Sequence, residues 1–599
     1  MDNLNYGVIG NCRTAALISE TGSIEWLCFP KFDSTSIFAK ILDKDTGGEF
    51  SLVPEGEYEI KQKYLERTNL LITHYCNDVN CFEIIDFMPR YYMSGEKEYY
   101  APPDVIRYIR LIKGKPTFRV NYKPALVYAQ SETEHIIYPD FIKSYSNSGE
   151  YNSAYLYTSF NQRDVLDGNI ISLKKDEFFL LSYHQKLQEQ TIQRAYLKME
   201  RTKVYWLNWS DRTTEFPHYQ DEILRSALVL KLLSYNPSGA ILAAVTTSLP
   251  ETIGEERNWD YRFCWLRDAS MTIKILSALG HSNVAHRYMN YIINLVPVKD
   301  EAIQIMYGIN GEKKLSEKEL DHLAGYEGSK PVRIGNAAYK QKQNDIFGVL
   351  VDVIYQLFEM FDVNMSNSEE LWTITRSILK VVAKTWREPD RGIWEIRKDN
   401  KHFTFSKVLC WVAADRGVKI AKIINMPGYV KEWNELKEEI KADILQYAWN
   451  DELQAFTQSY GSYDLDAANL LMESYGFIRA DDDKYKATVY ATQKHLSRNG
   501  LMYRYRNEDD YGRPKSAFTI CTFWLITALH RIGERKQAEA MFEDVLGYSN
   551  HLGLFSEDMD FDTKRLLGNF PQAYSHLALI ETAATLGNGG CLSKKKNTF

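Results

Sequence analysis

Two short stretches set a glutamate among apolar neighbours: Arg391-Gly392-Ile393-Trp394-Glu395-Ile396 and Gly553-Leu554-Phe555-Ser556-Glu557-Asp558. Alone, either residue reads as a solvated or salt-bridged surface glutamate, because buried glutamate is rare. As a pair across one pocket they form a candidate acid and base. One carboxyl, protonated, delivers a proton to a leaving oxygen while the other, ionised, activates water; cleavage of a glycosidic bond needs that division of labour. Trp394 favours the acid role for Glu395, since an apolar neighbour disfavours the charged form and raises the pKa.

A third stretch, Arg257-Asn258-Trp259-Asp260-Tyr261-Arg262-Phe263-Cys264-Trp265-Leu266-Arg267-Asp268, carries four aromatics and alternating charges directly before a helix start. It fits a capped helix with aromatics packed beneath. It equally fits a sugar site in which Arg267 and Asp268 hold hydroxyls while Tyr261 and Trp265 form walls. Arg504, in Leu501–Tyr505, reads either as a surface arginine stacked on tyrosine or as a ligand contact. Gly325–Asn336 is glycine-rich, but no strand precedes it and no Gly-Lys-Ser/Thr ending follows, which excludes a nucleotide cradle.

The elements that must position these residues fall into two groups. From Tyr6 to about Leu181 short β-strands alternate with turn signals such as Thr21-Gly22 and Asp167-Gly168, the pattern of an antiparallel β-sandwich. Near Gln185 the period changes. After a largely helical link, about twelve segments show helical spacing, near 219–235, 268–279, 282–296, 337–363, 369–386, 404–424, 429–449, 463–476, 484–498, 517–532, 535–546 and 571–586. Short connections alternate with long ones, so the long loops gather at one end of an up-and-down array, where function concentrates. The expected architecture is an N-terminal antiparallel β-sandwich (1–184), a partly helical linker (185–215), an (α/α)6 barrel (216–588) and a tail (589–599).

Composition narrows the function classes. Of 599 residues, 45% are apolar and 13% aromatic, and 72 basic residues against 79 acidic give a net charge of −7, with no basic face for nucleic acid. No apolar run approaches the length needed to cross a bilayer, and no signal peptide is evident, so a cytoplasmic protein is expected. The eight cysteines are scattered without zinc-ligand spacing, so neither a disulfide framework nor a metal site is expected, and the chemistry asks for no cofactor.

Blocks along nearly the whole chain carry a family likeness: Tyr6–Asn11, Gly22–Cys28, Asn258–Asp268, Pro331–Ala338, Gly392–Glu395, His402–Val412 and Gly568–His576. The chain resembles glycoside hydrolase family 15, which includes glucoamylases, glucodextranases and trehalases, and within it the prokaryotic branch with a trehalase-like N-terminal domain. That resemblance implies a sandwich, linker and (α/α)6 barrel, and inversion of configuration. It implies Glu395 as general acid and Glu557 as general base. Arg267 and Asp268 would grip the non-reducing glucose, Tyr261 would stand beside the developing cation, Trp265 would form a wall with Trp394, and Arg333 and Arg504 would contact substrate. Ile396 stands where fungal glucoamylases carry a second glutamate, and Lys515 where many relatives are acidic. The reading is an exo-acting, inverting hydrolase releasing β-glucose from non-reducing ends of α-glucosides such as malto-oligosaccharides. Hydrolysis of α,α-trehalose or isomalto-linkages is the alternative within the family. A disaccharide phosphorylase and a non-catalytic carbohydrate-binding protein are the alternatives outside it.

Overall fold

The computed structural model describes residues 3–93, 98–295, 303–360, 368–397 and 400–588. The expected tail and the short link at 364–367 lie outside the described residues.

The N-terminal part is a sandwich of two antiparallel sheets. One runs Tyr6–Gly10, Ala15–Ser19, Ile24–Cys28, Glu49–Pro54, Thr117–Lys123 and Ile171–Ser172, with Ser36–Phe38 paired to Ile24–Cys28. The other runs Thr133–Ile137, Ile142–Ser146, Ser153–Thr158, Glu177–Tyr183, Asp104–Lys113, Cys81–Phe87, Leu71–Cys76 and Glu59–Tyr64. Alternation along the strands supplies the interior: Phe50 of the first sheet meets Phe179 of the second edge to face, at 5.3 Å between ring centres. A fully buried Arg107 crosses the same interior. It donates to Asp86 at 2.8 Å and to the Phe50 carbonyl at 2.7 Å, so the charge is paired and hydrogen-bonded.

Strand pairing also corrects one expectation. Register sets Cys76 directly opposite Cys81 at the end of a hairpin, and the two form a disulfide. A spacing of five residues does not reveal this until the strands are paired.

Helix α1 (Ile192–Ser210) links the sandwich to the barrel, opened by Thr191, whose side chain accepts from the Arg194 amide. The barrel then comprises α2 (Gln220–Leu232), α3 (Leu266–Ala278), α4 (Ser282–Leu295), α5 (Asp345–Met360), α6 (Ser368–Thr385), α7 (Thr404–Ile423), α8 (Pro427–Tyr447), α9 (Asp483–Leu496), α10 (Thr519–Ile532), α11 (Arg535–Leu546) and α12 (Ala573–Asn588). Helices α3, α5 and α7, the 3-10 segment Ala467–Met472, α10 and α12 pack in that order into a closed inner ring. The others lie outside it, each packed on a ring member. Hydrophobicity follows position: the described side chains of α10 are buried from Thr519 to His530, whereas outer α8 buries only Trp433, Ile440 and Ile444.

The sequence pattern predicts a helix over 463–476, but the structure forms a single 3-10 segment there. Asp466 caps that segment by accepting from the Ala468 amide, and the same carboxylate also receives the Trp394 indole, a demand that helical periodicity does not contain.

Candidate active site

The long connections on one end of the barrel enclose a pocket. Its lining comes from the loop before α3 (Glu251, Arg257, Trp259, Tyr261, Trp265), the first turn of α3 (Arg267, Asp268), the loop before α5 (Asn336, Ala338), the loop before α7 (Ile393–Arg397), the loop before α10 (Arg504, Asp509–Tyr511, Phe518) and the start of α12 (Gln572, Tyr574). Five of the six long loops therefore meet here. The loop before Asp466 acts only from behind, through the Trp394 hydrogen bond of 2.9 Å.

Glu395 sits at the end of a tight turn. Gly392 takes a left-handed φ of 66°, and a Cβ there would stand 2.8 Å from the Phe403 ring, so only glycine fits. Glu395 itself adopts φ 60°, uncommon for a residue with a side chain and held here by the surrounding structure. The Trp265 indole donates to its Oε1 at 2.6 Å, and the Arg267 guanidinium lies 3.9 Å from the same oxygen. Burial pushes the Glu395 carboxyl up, and nearby Arg267 pulls against that shift without cancelling it. The result is a carboxyl that retains its proton more readily than a free glutamate, as a general acid requires.

Arg267 is the hub of the pocket floor. It donates to Asp268 at 3.1 Å, to the Tyr574 hydroxyl, to Gln343 at 3.2 Å, to Asp345 at 3.3 Å and to the Ile393 carbonyl at 3.1 Å. Asp268 and Asp345 each lie in the first turn of an inner-ring helix, where the helix dipole favours negative charge. One guanidinium thus fixes three helix starts (α3, α5 and α12) and the turn bearing Glu395.

Glu557 lies just behind the pocket lining, held against Tyr261 and near Glu251. Its Oε2 accepts from the Asn569 amide at 3.2 Å, while its Oε1 is buried without a hydrogen-bond partner among the described residues. Gly568 makes room for it: at φ 72°, a Cβ would approach the Glu557 carboxylate to 2.7 Å. Burial, with the neighbouring charge of Glu251, pushes the Glu557 carboxyl up to about 8. Asp558 beside it is raised too, mainly by burial, and Arg504, paired with Glu251 at 2.8 Å, is the cation facing this carboxyl group of three.

Most of the expected residues meet at this pocket. Tyr261, Trp265, Arg267, Asp268, Trp394, Glu395 and Arg504 line it, and Glu557 abuts it. Arg333 does not reach it. Its guanidinium lies 4.5 Å over the Trp259 ring and donates to the Glu256 and Asn258 carbonyls, so it supports the loop from behind. Ile396 lines the pocket, whereas Lys515 pairs with Glu255 outside it. Glu251, Asp345 and Tyr574 were not foreseen. Each is ordinary in its own stretch of sequence and becomes notable only when three loops close together.

Among the described residues the sandwich contributes none to the lining, yet it braces the loop that carries Tyr261 and Trp265. Arg262 is buried, pairs bidentately with Asp260, and donates to the Ser34 carbonyl at 3.0 Å and the Tyr128 hydroxyl at 2.8 Å. The Trp26 indole donates to the Val245 carbonyl at 2.8 Å, fixing the start of the same loop.

A helical double ring with carboxyls beside and behind one pocket suits acid–base chemistry on a sugar, and comparison with known proteins supplies the assignment. The model of glycosyl hydrolases family 15 matches residues 217–584, and that of the trehalase-like N-terminal domain matches residues 5–147. The chain belongs to glycosyl hydrolase family 15 and is an O-glycosyl hydrolase. It is similar to the trehalase of Mycolicibacterium smegmatis, at 37% identity over 96% of this chain and 90% of that protein. It is also similar to the trehalase of Thermoplasma volcanium, at 34% identity over 97% and 93% respectively. Among solved structures, a bacterial glucoamylase complexed with acarbose superposes with a TM-score of 0.72 over 99% of this chain and 94% of that one, at 14% identity, which establishes a shared fold. Among the described residues no helix is long and apolar enough to cross a membrane.

Proposed function

We propose that this enzyme is an inverting hydrolase of α,α-trehalose. The observation that carries the reading is likeness to trehalases along almost the entire chain, through both the sandwich and the barrel. It favours trehalose over the malto-oligosaccharides expected from the resemblance alone. In the proposed reaction one glucose ring sits on the floor formed by Arg267 and Asp268, against the edge-to-face pair of Tyr261 and Trp265, whose ring centres lie 5.3 Å apart. Glu395 gives its proton to the bridging oxygen. Glu557 takes a proton from the water that attacks the opposite face of the anomeric carbon, with its unpartnered Oε1 as the proton acceptor. The second ring leaves past Ile396 and the Arg397 guanidinium, which lies 4.4 Å over the Trp259 ring.

A substrate panel tests the choice. Trehalose is expected to give the highest kcat/KM, with maltose, maltotriose and isomaltose at least tenfold lower, because hydrogen-bonding groups placed for one second ring are left unpaired by another. A maltotriose preference would return the enzyme to the glucoamylase reading.

A further inference from the structure

The hairpin of Leu71–Cys76 and Cys81–Phe87 carries a group of side chains that the sugar chemistry does not use. Tyr75 and Phe82 are fully buried and stack on each other in the sandwich core. Strand alternation therefore turns His74, Cys76, Cys81 and Glu83 to the opposite, outer face. Register sets Cys76 across from Cys81 and His74 across from Glu83. One ligating atom each from His74, Cys76 and Cys81 lies within 4.8 Å of the other two. None of the three lines the sugar pocket.

His74 is the decisive residue. Its Nδ1 lies 3.2 Å from a Glu83 oxygen, and an ionised carboxylate only accepts, so Nδ1 donates that hydrogen bond. The other Glu83 oxygen lies 3.4 Å from the Arg110 guanidinium, which holds the carboxylate in place. The ring is thereby turned so that Nε2 faces both sulfurs, 3.1 Å from Cys76 Sγ and 3.4 Å from Cys81 Sγ. With Nδ1 carrying the proton of a neutral ring, Nε2 is a lone pair, and disulfide sulfurs have no proton to offer it. Metal-binding histidines are fixed in this same way, one nitrogen donating to a carboxylate while the other meets the cation. The spacing suits zinc too. With Zn–S near 2.3 Å and Zn–N near 2.0 Å, tetrahedral ligand atoms stand about 3.5–3.8 Å apart.

We propose that the reduced hairpin is a zinc site, with His74 Nε2 and the Cys76 and Cys81 thiolates as ligands and water in the fourth position. The His74 side chain is 35% exposed, so metal and water have an entry path. A dithiol reductant supplies two electrons to the S–S bond, leaving two cysteine thiols and its own disulfide. Zinc then displaces both thiol protons to solvent, and the two thiolates neutralise its charge. Thiolate ligands select zinc over magnesium or calcium. The same two strands are clasped by sulfur–sulfur in one state and by sulfur–zinc–sulfur in the other.

The test uses the full chain, either oxidised or reduced with a dithiol and desalted without oxygen, then dialysed against zinc chloride or cobalt chloride. The reduced wild type is expected to retain about one more zinc per chain than the oxidised form, by elemental analysis. Its cobalt form should show sulfur-to-cobalt charge-transfer absorption that Cys76→Ser/Cys81→Ser lacks. The described cysteines outside the pair are free thiols in both preparations, so they cancel in the comparison. His74→Ala and Glu83→Gln should each weaken zinc affinity by about tenfold or more, read by competition with a chromophoric chelator, with sugar hydrolysis unchanged. Equal zinc in the reduced and oxidised wild type would overturn the proposal, and that comparison decides it even if the double variant does not fold. Charge-transfer absorption retained in the double variant, or zinc affinity untouched by His74→Ala, would overturn it as well.

Discussion

At the scale of single residues, the pocket separates two glutamates by environment. Glu395 faces the pocket under an indole donor and near an arginine; Glu557 is buried among carboxyls with one free oxygen. If they act as acid and base, Glu395→Gln and Glu557→Gln should each lower kcat by on the order of 10²–10⁴ while trehalose still binds. Steady-state kinetics with a binding titration checks both, and unchanged turnover removes that residue from the mechanism. Glu251 adds a finer test. Its negative charge raises the Glu557 carboxyl, so a base that must be ionised becomes active as pH rises through about 8 in the free enzyme. Removing the charge makes ionisation easier. The acid limb of the kcat/KM profile should therefore move to lower pH in Glu251→Gln, and a limb that stays or moves upward would refute the coupling. Glu395 stands out in the sequence as a carboxylate between Trp394 and Ile396 and Glu557 as one following Leu554-Phe555, and the structure sets the first in the pocket lining and the second just behind it. Arg333 was misplaced because an arginine in a matching block gives no sign of facing the substrate or the back of a tryptophan.

At the scale of elements, the site depends on two glycines that no side chain can replace. Gly392 lies against Phe403 and sets the turn of Glu395; Gly568 lies against the Glu557 carboxylate. Gly568→Ala should displace that carboxylate and cost on the order of 100-fold in kcat, the usual penalty for shifting a reacting group by about 1 Å. The melting temperature of the same variant shows whether the loss is local. Helix periodicity and alternating link length made eleven of the twelve barrel segments visible as α-helices in the sequence, because amphipathic spacing reports packing directly. Two features stayed hidden for the same reason: the 3-10 segment at Ala467–Met472 answers to Trp394, and the Cys76–Cys81 disulfide answers to strand register, both long-range facts.

At the scale of the whole molecule, the sandwich is a brace for the catalytic end of the barrel. Arg262 transmits that support, and its loss leaves Asp260 buried and unpaired. Arg262→Ala should cost roughly 3–5 kcal/mol of stability, read by denaturant unfolding, with activity falling in parallel. Buried acids also set how stability depends on pH. Asp390 and Glu557 are raised by burial to about 7 and about 8, so the folded chain holds their protons more tightly than the unfolded chain does. Their contribution is present at low pH and is lost as pH rises through those values. His281 and His576, held near 3 by burial, act in the opposite sense only below about 6.5. Calorimetry should therefore show the melting temperature falling from about pH 6.5 to 8, less steeply in Glu557→Gln. A flat or rising trend would contradict the assignment.

The central claim, inverting hydrolysis of trehalose by Glu395 and Glu557, is tested most directly by following the anomers of newly released glucose by proton NMR before mutarotation. Inversion at one anomeric carbon, with the other ring departing unchanged, predicts equal initial amounts of β- and α-glucose. Initial release of α-glucose alone would contradict the account.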